Sequence, residues 1–214
     1  MRKYLVLIVL LSGVIFTACD DGSVLESNDI ESNKAEEGEI VVLDNTNEFE
    51  GILWEADSEI GVVLAHGAVY DAASWEAQGK QFAEENIIAF AVKNTDKDEL
   101  IAVANMLKNE MGVEKVALVG ASAGGASSIE AVKEDETVFD KLILLSPVGD
   151  PTRIKDIPVF VIYSEKEGFK DLEESEASNI KTLEIPGDAH AQALFKDDEK
   201  SEKIMKEMID FLKE

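Results

Sequence analysis

The stretch KVALVGASAGG, residues 115–125, decides the fold of this chain. Val116, Ala117, Leu118 and Val119 form a short apolar run of β type, which then breaks into small residues around one hydroxyl, Ser122. That order reads as strand, sharp turn, helix. Gly120-Ala121-Ser122-Ala123-Gly124 fits the pattern Gly-x-Ser-x-Gly, in which a serine held on a tight strand-to-helix turn needs neighbours without bulk two residues away. A turn rich in Gly and Ala can also serve packing alone, so the chemistry of Ser122 depends on partners supplied elsewhere.

On the N-terminal side, IGVVLA at 60–65 is a continuous apolar run, as expected of a strand buried on both faces, and it ends at His66-Gly67. Helical spacing over 75–86 puts Trp75, Phe82 and Ala83 on one face, and 87–92 returns as a strand, completing a βαβ unit. Asp96 is placed to cap a helix through about Met111, with Leu100, Val103, Ala104 and Leu107 on one side and Gly112 as its stop. After the serine turn, helix is predicted over 124–133, strand over 141–145 and 158–163, helix over 169–178 and strand over 181–185. An amphipathic helix over 200–212, carrying Ile204, Met208 and Ile209, closes the chain. Before all of these, 39–44 and 49–56 read as an antiparallel hairpin turning at Asn45-Thr46-Asn47. Strands alternating with helices imply a three-layer α/β sandwich over 39–214, its sheet mostly parallel apart from the hairpin. The short segment 149–158 leaves no room for a lid domain.

Composition narrows the function classes. Four Pro, fourteen Gly and 45% hydrophobic residues lie in the ordinary globular range, and 214 residues suit one domain. With 45 acidic against 20 basic residues the formal charge is −25, which argues against nucleic acid as a partner, since phosphate binding needs a cationic surface. The same charge disfavours unaided attraction to anionic lipid. A single cysteine, Cys19, excludes an intramolecular disulfide and a Cys-based zinc site.

The position of Cys19 suggests its use. Arg2 and Lys3 open the chain, Tyr4 to Ala18 is nearly unbroken apolar sequence, and Phe16-Thr17-Ala18-Cys19 resembles the lipobox of bacterial lipoproteins, with Phe16 where Leu is usual. Fifteen apolar residues are short for a spanning helix and suit a signal segment. The resemblance implies a signal peptide at 1–18, a diacylglyceryl group on Cys19 and an extracytoplasmic protein anchored to the bacterial cell membrane. Residues 20–38 are acidic and without apolar period. They read as a flexible tether with a reach of about 25 Å, giving 19–38 as a lipidated linker.

In a parallel sheet, function gathers at the carboxyl ends of the strands. Here those ends hold His66-Gly67-Ala68, Lys93-Asn94, Ser122, Ser146-Pro147, residues 164–167 and residues 187–190. Both histidines of the chain fall among them, and a hydroxyl becomes a useful nucleophile only with a base in reach. Together these motifs resemble the α/β-hydrolase superfamily and its small lidless esterases and dienelactone-hydrolase-like members, over residues 39–214. The resemblance implies Ser122 as nucleophile and His190, in Pro186-Gly-Asp-Ala-His190, as its base. It also implies the amides of Ala68 and Ala123 as the oxyanion hole. The acid turn of the family usually reads Gly-x-x-Asp. Ser164 and Glu167 stand in those places here, which gives Glu167 as the acid, with Glu165, Asp150 and Asp188 as alternates.

His66, lying before the oxyanion residue, reads as a structural hydrogen-bonder. Trp75, Tyr70 and Phe169 read as core. The implied activity is that of a serine hydrolase, a carboxylesterase on small accessible esters, acting as a monomer without metal or organic cofactor. An amidase, a thioesterase and a catalytically silent binding lipoprotein on the same fold are the alternatives.

Overall fold

Apolar runs without polar interruption need cover on both faces, and the central strands of this protein have it. The computed structural model describes residues 39–43, 49–173 and 177–214, all within one compact unit, Ala35–Glu214. The signal segment, Cys19, the tether and the Asn45-Thr46-Asn47 turn lie outside the described residues. Among the described residues, eight strands form one sheet. They are β1 (Glu39–Leu43), β2 (Phe49–Trp54), β3 (Ile60–Ala65), β4 (Ile88–Val92), β5 (Lys115–Ala121), β6 (Lys141–Leu145), β7 (Val159–Ser164) and β8 (Ile180–Ile185), in the spatial order β1-β2-β4-β3-β5-β6-β7-β8. β1 pairs antiparallel with β2, and β2 antiparallel with β4. Every pairing from β4 across to β8 is parallel, with Val63 opposite Phe90 on one side and Leu118 on the other.

The pleat sorts the side chains of each central strand between two cores. Val63 and Ala65 of β3 join Val116 and Leu118 of β5 on one face, against Leu100, Val103, Ala104 and Leu107 of α2 (Lys97–Glu110) and Ile129 and Val132 of α3 (Ala123–Glu134). Val62, Leu64, Ala117 and Val119 face the other way, onto Phe82 of α1 (Glu76–Glu84) and Ile204, Met205, Met208, Phe211 and Leu212 of α5 (Asp198–Lys213). Three layers result, and this is the α/β-hydrolase fold. Each fully buried Leu, Ile or Phe in the two cores contributes about 1.5–3 kcal/mol through removal from water.

Local chemistry sets the helix ends. Asp96 accepts the amides of Asp98 and Glu99 through one carboxylate oxygen and starts α2 at Lys97. Asp197 does the same for α5 by accepting the Lys200 amide. The expected helix over 75–86 begins instead as a 3-10 turn, Ala72–Trp75, capped by Asp71, before α1 takes over. The helix expected over 169–178 is corrected as well: among the described residues α4 spans Lys170–Glu173, and Ala177 accepts the Ile180 amide in a turn, so residues 177 and 178 are not helical. Asn179 fixes the approach to β8. Its side-chain amide donates to the carbonyls of Ile154 and Ile157, tying the entry of β8 to the β6–β7 connection. That connection, residues 146–158, carries a single 3-10 turn, Pro151–Arg153, and no inserted domain.

Candidate active site

Ser122 is the residue where β5 stops and α3 starts. Its backbone stands at φ 50°, ψ −114°, a left-handed conformation that costs a non-glycine residue about 1–3 kcal/mol and persists only where neighbours hold it. Three hydrogen bonds hold it. The Ser122 amide donates to Leu145 O at 2.9 Å, and its carbonyl accepts the amides of Gly125 and Val148 at 3.0 Å each. Close approach of backbone explains the small residues on either side. A Cβ built at Gly124 would lie 2.5 Å from the carbonyl oxygens of Ala65 and His66, so any larger residue would push α3 off the end of β3. Ala123 is the first residue of α3, and the amides of a first helical turn have no partner inside the helix.

His190 approaches from the loop after β8. Its Nε2 lies 2.8 Å from Ser122 Oγ, and its Nδ1 lies 2.5 Å from Glu167 Oε1. The ring is more than half exposed, whereas the Glu167 side chain keeps only 14% of its surface. Glu167 closes a short 3-10 turn after β7, Glu165–Glu167, and folds back so that Oε2 accepts the Ser164 amide at 2.7 Å. The alternates are elsewhere engaged or turned away. Asp150 caps Thr152, Asp188 pairs with Lys166 at 3.5 Å, and Glu165 is exposed. Burial pushes the Glu167 carboxyl up, but the Ser146 hydroxyl, the Ser164 amide and His190 together outweigh it and hold the group below the usual carboxylate range.

The turn after β3 completes the site. Tyr70 N donates to Gly67 O at 3.0 Å, so Ala68 and Val69 occupy the exposed tip of a β-turn. Among the described residues no acceptor meets the Ala68 amide. A Cβ at Gly67 would stand 3.4 Å from Ser122 Cβ, which puts this turn directly against the serine. His66 does not reach Ser122. Its ring nitrogens lie 2.9 Å from Gly67 O and 3.1 Å from Lys93 O, tying the end of β3 to the end of β4. Trp75 is fully buried, edge-on to Phe195 at 6.2 Å, and Phe169 packs on Tyr163 at 5.3 Å, so both belong to the core.

Two polar residues of the site escaped sequence reasoning. Ser146, fully buried at the end of β6 with φ 44°, donates to Glu167 Oε2 at 2.7 Å and accepts the Ala191 amide at 2.9 Å. Gln192, two residues past His190, accepts the Gly67 amide at 2.8 Å. A lone amide inside the apolar run Ala191-Gln192-Ala193-Leu194 was the only signal for Gln192, and position at a strand end the only one for Ser146. Among the described residues no group of three or more His, Cys, Asp or Glu side chains is arranged to hold a metal ion.

The arrangement can move a proton from a hydroxyl through an imidazole held by a carboxylate, beside the exposed turn that carries the Ala68 amide. Residues 62–187 match the model of the prolyl oligopeptidase family. No curated protein matches the sequence. Among solved structures, the chain is similar to a predicted CIB-like hydrolase from Thermoplasma acidophilum, with TM-score 0.64 and 16% identity over 82% of this chain and 97% of that one. A monoacylglycerol lipase from Paleococcus ferrophilus matches with TM-score 0.62 and 13% identity over 78% and 98%. A dienelactone hydrolase from Anabaena variabilis matches with TM-score 0.61 and 15% identity over 81% and 95%. At these identities the likeness is one of fold.

Proposed function

Because the chain belongs to the prolyl oligopeptidase family, we propose that it is a serine hydrolase with Ser122 as nucleophile, His190 as general base and Glu167 as the orienting acid. One observation carries the reading: His190 stands between the two, Nε2 at 2.8 Å from Ser122 Oγ and Nδ1 at 2.5 Å from Glu167 Oε1. Ser122 Oγ attacks an acyl carbonyl carbon while its proton passes to Nε2. The amides of Ala68 and Ala123 receive the resulting oxyanion, and His190 returns the proton to the leaving group. Water then repeats the sequence on the acyl-enzyme. Glu167 keeps the proton of the imidazole on Nδ1 and stabilises the imidazolium that forms.

The substrates are small, accessible carboxylic esters without negative charge. Supporting this, Val69 is 90% and Val148 54% exposed, and both adjoin Ser122, one in the oxyanion turn and one through its amide bond to the Ser122 carbonyl. A net charge of −25 repels anionic acyl groups, and the short β6–β7 connection leaves the site uncovered. The lipobox-like sequence ending at Cys19 supports a protein carried on the outer face of a bacterial membrane by its acyl chains. Amide or peptide hydrolysis is the second reading, favoured by the name of the matched family, whereas two of the structural neighbours are named as a lipase and a dienelactone hydrolase.

A fluorophosphonate probe tests the reading. Labelling of the wild type and loss of labelling in Ser122→Ala support it, and absence of labelling in both overturns it. Paired short-chain ester and amide substrates of the same acyl group separate the two leaving-group classes. For the anchor, Cys19→Ser is expected to move the protein out of the membrane fraction; unchanged fractionation and gel mobility would refute lipidation.

A further inference from the structure

We infer that Gln192 is a positioning residue that sets the orientation of the oxyanion turn, an inference that rests on the serine-hydrolase reading above. Gln192 is 6% exposed on the loop that carries His190, in a run otherwise apolar. A carboxamide buried there is costly unless both ends are used, and both are. Oε1 accepts the Gly67 amide at 2.8 Å, and Nε2 donates to Ser74 Oγ at 2.5 Å. Ser74 Oγ in turn donates to the Asp71 carbonyl, and Asp71 Oδ1 accepts the Ser74 amide at 3.1 Å. Residues 67–70 are thereby held at their start by Gln192 and at their end by the capped 3-10 turn to which Gln192 is also bound.

The need for an external hold follows from Gly67. The turn packs against Ser122 at Gly67, where a Cβ would stand in van der Waals contact with Ser122 Cβ at 3.4 Å, and glycine is the residue least able to fix its own peptide planes. Ala68, whose amide is the implied oxyanion donor, follows immediately. Gln192 fixes the peptide plane before Gly67, and the Tyr70 amide on Gly67 O fixes the plane after it, so the two rotations of Gly67 that would swing the Ala68 amide are held from both sides. Ala191 makes this possible. At φ 52°, with its amide held by Ser146 Oγ, it turns the chain so that His190 faces Ser122 while Gln192 faces Gly67. One short loop therefore sets both the base and the oxyanion turn against the same serine.

Gln192→Met keeps the length of the side chain and removes the acceptor. Loss of one oxyanion donor typically lowers kcat about 10^2- to 10^3-fold, and loss of its support is expected to lower kcat about 10- to 100-fold with KM changed less than about threefold. Affinity for phenylboronic acid, which forms a tetrahedral adduct on the serine, falls in parallel. The acid limb of the pH–rate profile stays in place. A kcat within twofold of wild type, an unchanged boronate affinity or a displaced acid limb would overturn the assignment. Ser74→Ala, at a half-buried position, removes only the far anchor; it is expected to lower kcat about two- to fivefold with KM unchanged, and it decides the question if Gln192→Met does not fold. A wild type that fails to react with fluorophosphonate defeats the serine-hydrolase reading itself, whereas a reactive wild type with an unaffected Gln192→Met defeats this assignment alone.

Discussion

Ser146 donates its hydroxyl to Glu167 Oε2 at 2.7 Å, and through that bond the end of β6 holds the carboxylate that holds His190. Ser146 Oγ also accepts the Ala191 amide, so one buried side chain joins the acid turn to the histidine loop. Deleting it leaves a buried amide and a carboxylate oxygen each short of a partner, at about 1–3 kcal/mol. Ser146→Ala is expected to lower both the thermal midpoint and kcat/KM. Ser146→Gly removes the same hydroxyl while accepting φ 44° without strain. It is expected to lose as much activity as Ser146→Ala and less stability, which steady-state kinetics and thermal melts on the two variants would check.

Glu167 gives stability a pH dependence of defined sign. Its folded-state pKa lies below the ordinary 4.5, because the hydrogen bonds from Ser146, Ser164 and His190 outweigh its burial. A carboxyl depressed in this way stabilises the fold fully above its unfolded pKa, and the contribution disappears as pH falls through the folded value. Urea denaturation of wild type and Glu167→Gln is therefore expected to show a stability difference near pH 7 that shrinks as pH falls from about 5. Near neutral pH the same variant is expected to lose roughly three to four orders of magnitude in kcat, since an amide cannot hold the imidazole tautomer as the carboxylate does.

Gly124 is a site of pure close approach. An alanine methyl there meets the carbonyls of Ala65 and His66 at 2.5 Å, and backbone oxygens at the end of a central strand have little room to give. Gly124→Ala is expected to destabilise by about 1–3 kcal/mol and to lower the thermal midpoint by several degrees. Activity is expected to fall with it, because α3 and Ser122 shift together.

Val69 and Val148 lie on the rim of the serine with most of their surface in water, so changing them leaves the core intact. Val69→Asp and Val148→Asp are each expected to keep stability within about 0.5 kcal/mol. For short neutral esters the KM is expected to rise several-fold, since each apolar CH2 lost from a contact removes about 0.8 kcal/mol. Kinetics across an acetate, butyrate and hexanoate series would measure it.

Much of this protein is legible along the chain because its signals are local. The runs at 60–65 and 116–119 are apolar without alternation because helices cover both faces of the sheet, and that pattern implies a three-layer fold. Gly120, Ser122 and Gly124 are five consecutive residues' worth of information, since the tightness of one turn dictates all three. Asp96 announces α2 for the same reason: a cap and its helix are neighbours in sequence.

What the tertiary structure alone decided are the relations between strand ends that lie far apart along the chain. Glu167, Glu165, Asp150 and Asp188 are chemically interchangeable in a sequence with 45 acids, and only the back-folded turn after β7, fixed by the Ser164 amide, presents one of them to His190. Ser146 and Gln192 carry no motif. Their roles come from hydrogen bonds spanning 21 and 125 residues, which exist only because a parallel sheet brings the ends of all its strands to one edge. Local sterics wrote Ser122 and its turn into the sequence. The chain's parallel pairing, β3 to β5 to β6 to β7 to β8, is what assembled a carboxylate, an imidazole and the Gly67–Tyr70 turn around it.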